Sequence, residues 1–168
     1  MSLVRTRART FLPLVAAALP LLLTSAFAAK PLGVVSTLHA DASQISISAG
    51  GTQHLFLDAG PESAGKKYVV IGSFLGTSPA TILGATVVPL VSDRYFIVTL
   101  NGAGVSLLTT GASGHLDAQG KATAAIDLPP LSAPTLIGKT VHHAFALFDE
   151  TTDLYYAASN AVRLTLLP

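Results

Sequence analysis

Lys67-Tyr68-Val69-Val70-Ile71-Gly72-Ser73-Phe74-Leu75 is a long stretch rich in β-branched residues, and Gly76-Thr77-Ser78-Pro79 ends it. Its length and its stop signal read as strand rather than helix. Gly72-Ser73 within the run marks a bulge or a close approach of another part of the chain, because glycine weakens a strand unless its missing side chain is needed. The same rhythm of short apolar runs and dense turn signals extends in both directions.

Upstream, Gln44-Ile45-Ser46-Ile47-Ser48 alternates polar and apolar residues, the period of a half-buried strand. Ala49-Gly50-Gly51 turns the chain into Thr52-Gln53-His54-Leu55-Phe56-Leu57, and Asp58 to Gly65 is a loop rich in turn formers. Downstream, Ile82–Val88 and Arg94–Leu100 read as strands separated by Pro89 and Ser92-Asp93, and Asn101-Gly102 is a turn dipeptide. Val105–Leu108 is a short apolar piece suited to self-association. Gly114-His115-Leu116 and Lys121–Leu128 flank Asp117-Ala118-Gln119-Gly120, which reads as a hairpin turn. The alanines near residue 124 suit a helix, but length and neighbours favour a strand. Lys139–Phe148 is a strand, Asp149–Asp153 a turn, and Leu154–Leu167 a final strand or pair bending near Ser159-Asn160. Gly60, Gly65, Gly76 and Gly120 stand where turns need positive φ. These strands predict an all-β fold, a single antiparallel β-sandwich of immunoglobulin-like or jelly-roll-like type. No linker divides it, so residues 29–168 are expected to form one domain.

The first 28 residues have another character. Arg5, Arg7 and Arg9 precede an apolar run from Phe11 to Leu23, and Thr24-Ser25-Ala26-Phe27-Ala28 supplies the small residues read at a cleavage site. This is the pattern of a secretory signal peptide with cleavage after Ala28. Pro20 and the short run argue against a membrane anchor. The arginines are not adjacent, which favours export in the unfolded state. Export to the periplasm or the extracellular space is the expected localisation.

Of 168 residues, 50% are hydrophobic and 11% charged, which excludes a disordered, solvating chain. There are 10 Lys and Arg against 9 Asp and Glu; the signal takes three arginines and no acid, leaving 7 against 9 and a net charge of −2 with histidine neutral. Lys66-Lys67 is the one basic pair of the mature chain. Nucleic-acid binding, which needs several phosphate contacts, has no support. With 0 cysteines, disulfides, thiolate metal sites, lipid attachment at cysteine and blue copper are excluded.

Five histidines, His39, His54, His115, His142 and His143, are the candidate ligands. A metal needs three or four converging donors. His142 and His143 are neighbours on a strand and point to opposite faces, so one of them belongs in the core or against a loop, bonded to backbone. Whether any histidine binds metal is left open. Asp149, Glu150 and Asp153 match no EF-hand spacing and read as a turn rather than a calcium site. No Gly-x-Ser-x-Gly or His-Glu-x-x-His motif is present. A hydrolase would need an unrecognised carboxylate pair, for which Asp93 and Asp127 are the first to inspect. With no Trp, sugar binding lacks its usual platform. Tyr155-Tyr156 places one ring inward and one outward, and Phe56, Phe74, Phe96, Phe145 and Phe148 read as core.

Ala49-Gly50-Gly51-Thr52-Gln53, Leu57-Asp58-Ala59-Gly60, Gly76-Thr77-Ser78-Pro79, Leu116-Asp117-Ala118 with Gly120, Gly138 with His142, His143 and Ala144, and Ser159-Asn160-Ala161-Val162 occur in this order. The series resembles a secreted bacterial β-sandwich domain of unknown function, often found in larger exported or surface proteins. The resemblance runs from about Ser46 to Leu166 and implies the sandwich and the export; it brings no activity, catalytic residue or cofactor. The function expected is therefore an exported, non-catalytic protein with a structural, adhesive or protein-interaction role. The alternative is a small-ligand or metal-binding protein using histidines near a loop end. No cofactor is expected, the partner would be another envelope or extracellular protein, and no transmembrane segment is expected in the mature chain.

Overall fold

A computed structural model describes residues 36–101, 108–132 and 134–168, with backbone alone at 108 and 109. The first 28 residues, read above as a signal, and most of Val105–Leu108 lie outside the described residues. All described residues fall in one compact unit, Pro31–Pro168.

The chain is mostly β-structure. Its strands are β1 (Thr37–Ala40), β2 (Gln44–Ser46), β3 (Gly51–Asp58), β4 (Lys67–Ser73), β5 (Thr81–Leu83), β6 (Thr86–Val88), β7 (Leu108–Thr110), β8 (Ser113–His115), β9 (Lys121–Leu128), β10 (Thr140–Asp149), β11 (Leu154–Ala158) and β12 (Val162–Leu167). One short helix, α1 (Arg94–Leu100), stands between β6 and β7. A four-stranded sheet has the order β1-β3-β9-β7, and a larger one the order β2-β12-β10-β4-β8 with β11 also on β10. β5 and β6 form a separate hairpin.

The two larger sheets share one hydrophobic core. Leu38, Leu55, Leu57, Ala124, Ile126 and Leu128 come from the first, and Val70, Val141, Phe145, Leu147, Leu164 and Leu166 from the second. A second cluster lies on the other side of β4 and β10, where Val69, Ile71, Ala144 and Ala146 meet Val88, Leu90 and Phe96. The segment from Phe74 to Leu100 therefore covers a sheet face that would otherwise meet water. This explains the opening stretch: β4 is buried on both faces, so its sequence is continuously apolar instead of alternating.

Four expectations need correction. Arg94–Leu100 is a helix, not a strand. Its β-branched content is overruled by the Asp93 side chain, which accepts the Phe96 N–H at 2.7 Å and caps the first turn. Tyr95, Phe96 and Thr99 are buried while Ile97 faces out, the one-sided spacing of a helix. Ile82–Val88 is two short strands, because Gly84 at φ 58 turns the chain and leaves no room for a side chain against the Tyr155 carbonyl. The pairing is not wholly antiparallel: β2 runs parallel to β12. Finally, the turn at Asp117–Gly120 closes as expected, with Gly120 N–H bonded to the Asp117 carbonyl at 3.0 Å. The strands beside it join different sheets, however, β8 pairing with β4 and β9 with β3.

The turn glycines behave as read, with φ of 77, 70, 98 and 74 at Gly60, Gly65, Gly76 and Gly120. Gly72 is a close approach: an added Cβ would lie 2.0 Å from the Tyr95 ring. The edge of β4 beyond β8 is finished by the helix segment rather than by a strand. Gly72 N–H donates to Thr99 Oγ1 at 3.0 Å, and Phe74 N–H to Asp93 at 2.7 Å.

Candidate functional site

The histidines scatter. His39 on β1 and His54 on β3 are exposed, His115 on β8 is exposed beside Glu150 at 3.7 Å, His142 is half-buried and His143 is fully buried. Among the described residues, no three His, Asp or Glu side chains come together as metal ligands. His142 and His143 do face opposite ways along β10. The buried one is bonded differently from the expectation: His143 Nε2 lies 3.1 Å from the Tyr95 hydroxyl, a side-chain partner rather than backbone. The Nδ1 atoms of both histidines are buried without a hydrogen-bond partner among the described residues. Burial pushes His143 down to about 3 and raises the Tyr95 hydroxyl well above its ordinary value. The pair is neutral and apolar in effect, and it pins α1 to β10 across Gly72.

The carboxylates serve turns and caps. Asp149 accepts the Thr151 N–H at 2.8 Å and sits near Lys66, while Glu150 lies 3.6 Å from Lys67. Asp93 and Asp127 have separate tasks. Asp93 caps α1 and ends β4, whereas Asp127 on β9 accepts from Thr52 Oγ1 at 2.9 Å. They belong to different parts of the molecule and form no pair across a cleft.

Two aromatic assignments change. Phe145 and Phe96 are core, and Phe74 and Phe148 are half-buried, but Phe56 is 45% exposed. Tyr155 and Tyr156 do point to opposite faces, yet neither is a lone surface ring, since each packs on one of the two clusters. The covering segment buries the second face of β4 and β10 and leaves β11 half-buried.

Phe56 is the centre of the most distinctive surface. Along β3, Gln53, Leu55 and Leu57 are buried, while Thr52, His54 and Phe56 face outward. β1 places His39 directly opposite Phe56 in register. The His39 and Phe56 rings stack with centroids 6.3 Å apart and 25° between planes, and the His54 ring, two residues back along β3, lies 6.4 Å from Phe56. His54 Nδ1 is 2.7 Å from Asp41 Oδ2, and the His54 N–H donates to Asp41 Oδ1 at 2.8 Å. These bonds hold the Asp41 carboxyl below its usual range. At the far end of the strip, Asp58 pairs with Lys121 and is lowered in the same way. An open hollow of about 480 Å³ runs beside it, lined by His39, Phe56, Asp58, Asp117, Lys121 and Thr123 among others.

The signal for this surface was present in the sequence. In Thr52-Gln53-His54-Leu55-Phe56-Leu57, strict alternation puts Phe56 on the face of His54 and opposite Leu55 and Leu57. Hydrophobicity taken residue by residue hides that. The inward Gln53 occupies a core position because its amide nitrogen donates to the Ala42 and Arg163 carbonyls.

No family model and no curated protein matches the chain. Among solved structures, the human F-spondin reeler domain is similar at a TM-score of 0.39 and 11% identity, over 80% of this chain and 89% of that one. No helix among the described residues is long and apolar enough to cross a membrane.

Proposed function

We propose that this chain is an exported, non-catalytic β-sandwich protein that binds another envelope or extracellular protein through the open face of its four-stranded sheet. One observation carries the reading: Phe56 stands 45% exposed on the outward face of β3, beside two imidazoles. Exposed aromatic side chains on such faces are what protein partners bury at the centre of an interface, with polar groups around the rim. Asp41, Asp58, Lys121 and Asp127 supply that rim. The sandwich assignment is supported by the single core drawn from both larger sheets. The non-catalytic assignment is supported by the carboxylates Asp58, Asp93, Asp117 and Asp149, each occupied by backbone N–H groups of its own turn or cap. Export rests on the signal-like first 28 residues.

The test is a photo-crosslinking residue at position 56 in cells that export the protein, with position 137 as a control. The reading expects a discrete heavier product at position 56, absent at position 137 and weakened by His39→Ala with His54→Ala. Unmodified monomer from both positions, in envelope and medium alike, would sink it.

A further inference from the structure

A second surface lies away from the strip, where the chain leaves β4 and enters α1. Phe74, Leu75, Tyr95 and Val98 form an almost wholly apolar groove of about 460 Å³, bordered by Asp93 and Arg94. That volume is within the range of small-ligand sites, roughly 300–1,000 Å³. Its walls are fixed. Phe74 and Tyr95 rings meet at 5.0 Å, and Tyr95 is held from behind by His143. Leu75 forms an outer lip and is 68% exposed, a large apolar side chain left in water.

The two bordering residues are not equivalent. Asp93 is already saturated: its oxygens accept from Phe96 N–H at 2.7 Å, Phe74 N–H at 2.7 Å, Leu75 N–H at 3.2 Å and Ser73 Oγ at 3.3 Å. Four donors fill its acceptor positions. Arg94 is exposed and forms no ion pair among the described residues. The groove thus offers an apolar bed, and at its border stands the exposed, flexible Arg94, whose planar guanidinium fork suits a carboxylate at the groove's mouth.

We infer that this groove binds a free long-chain monocarboxylate, the alkyl chain lying on Phe74, Leu75, Tyr95 and Val98 and the carboxylate meeting Arg94. The site is independent of the Phe56 surface, so either assignment stands or falls alone.

The test uses the exported protein with three single-chain probes below their micelle concentrations: dodecanoate, dodecanol and dodecyltrimethylammonium. Calorimetry is expected to show dodecanoate bound at least about tenfold more tightly than the other two, the factor a charge-assisted hydrogen bond supplies. Arg94→Gln brings dodecanoate down to the affinity of dodecanol and leaves dodecanol unchanged. Leu75→Ser, at an exposed position that the fold does not need, weakens both by a similar factor. Amide shifts at Phe74, Tyr95 and Val98 report the location. Equal binding of all three probes, preference for the ammonium, indifference to Arg94→Gln, or binding to phosphatidylglycerol vesicles without binding monomeric dodecanoate would each overturn the inference.

Discussion

Asn160 holds both backbone hydrogen-bonding groups of Leu38. Its Oδ1 accepts the Leu38 N–H at 2.9 Å, and its Nδ2 donates to the Leu38 carbonyl at 3.0 Å. Leu38 lies on the edge strand of one sheet, and Asn160 lies in the bend between two strands of the other. The side-chain amide thus imitates a neighbouring strand for one residue. It ties the sheets together and closes an edge that would otherwise accept another chain. Ser159 beside it does the same for Phe145: its N–H donates to the Phe145 carbonyl and its Oγ accepts the Phe145 N–H, both at 2.9 Å.

Replacing Asn160 by Ala removes both bonds at once. The expected loss is about 1–2 kcal/mol, as for two part-buried hydrogen bonds whose backbone partners regain some water. Urea unfolding measures it. The freed edge is also expected to raise the dimer fraction in size-exclusion chromatography, and an unchanged midpoint together with an unchanged elution volume would remove Asn160 from this role.

Acid should destabilise this protein before its carboxylates titrate. His143 is held near 3 when folded and returns to about 6.5 when unfolded, so the unfolded chain binds the extra proton. A depressed histidine leaves stability complete above pH 6.5 and withdraws it as pH falls from there toward 3. The slope is about 1.4 kcal/mol per pH unit, or about 2 kcal/mol between pH 6.5 and 5. His142 is lowered too, by burial and by Arg163, and acts in the same direction. Urea midpoints at pH 7, 6 and 5 should therefore fall in the wild type and flatten in His143→Gln. A parallel slope in the variant would refute the assignment.

The partner of that histidine governs the alkaline side. Tyr95 is raised by burial and by the nearby Asp93 charge. The folded state keeps its proton, so stability is complete below pH 10 and is lost as the unfolded chain ionises above it. Tyr95→Phe should lessen this loss while costing about 1–3 kcal/mol at pH 7, because it leaves the buried His143 Nε2 unpaired. Tyr68, Tyr155 and Tyr156 are also raised, so the alkaline decline is reduced rather than removed.

Gly76 and Gly120 look alike in the sequence and differ in space. Both have positive φ, but a Cβ on Gly76 meets nothing within 4 Å, whereas on Gly120 it would lie 1.8 Å from the Gly60 carbonyl oxygen. Gly76→Val is expected to cost about 1–2 kcal/mol, the backbone strain alone. Gly120→Val adds a backbone clash that no rotamer relieves and should leave little folded protein. Thermal unfolding of the two variants checks the order, and equal melting temperatures would contradict it.

Phe56→Ala should cost no more than about 1 kcal/mol, since nearly half of the residue is exposed. Phe145→Ala, at 0% exposure in the shared core, should cost about 3–5 kcal/mol. A large loss at position 56 would mean that the ring is structural and would weaken its case as a binding residue.

The periodicity of Thr52 to Leu57, the continuous apolar run from Tyr68 to Ile71, the Asp117–Gly120 turn and the bend at Ser159-Asn160 were all legible along the chain, because strands and turns are set by neighbours two to four residues apart. So were the small allotment of charge, the absence of cysteine and the signal-like start. What the sequence left undecided depended on residues distant in the chain. Arg94–Leu100 is a helix because Asp93 caps it and the edge of β4 needs a cover. β8 and β9 part company after their turn because each finds a different partner strand. Tyr155 is half-buried because it packs against the cluster that the segment from Phe74 to Leu100 builds on its sheet, and Arg94 borders an apolar groove because α1 starts beside the end of β4. Local chemistry determines which elements can form, and only the tertiary packing decides which of their faces remain for water and for partners.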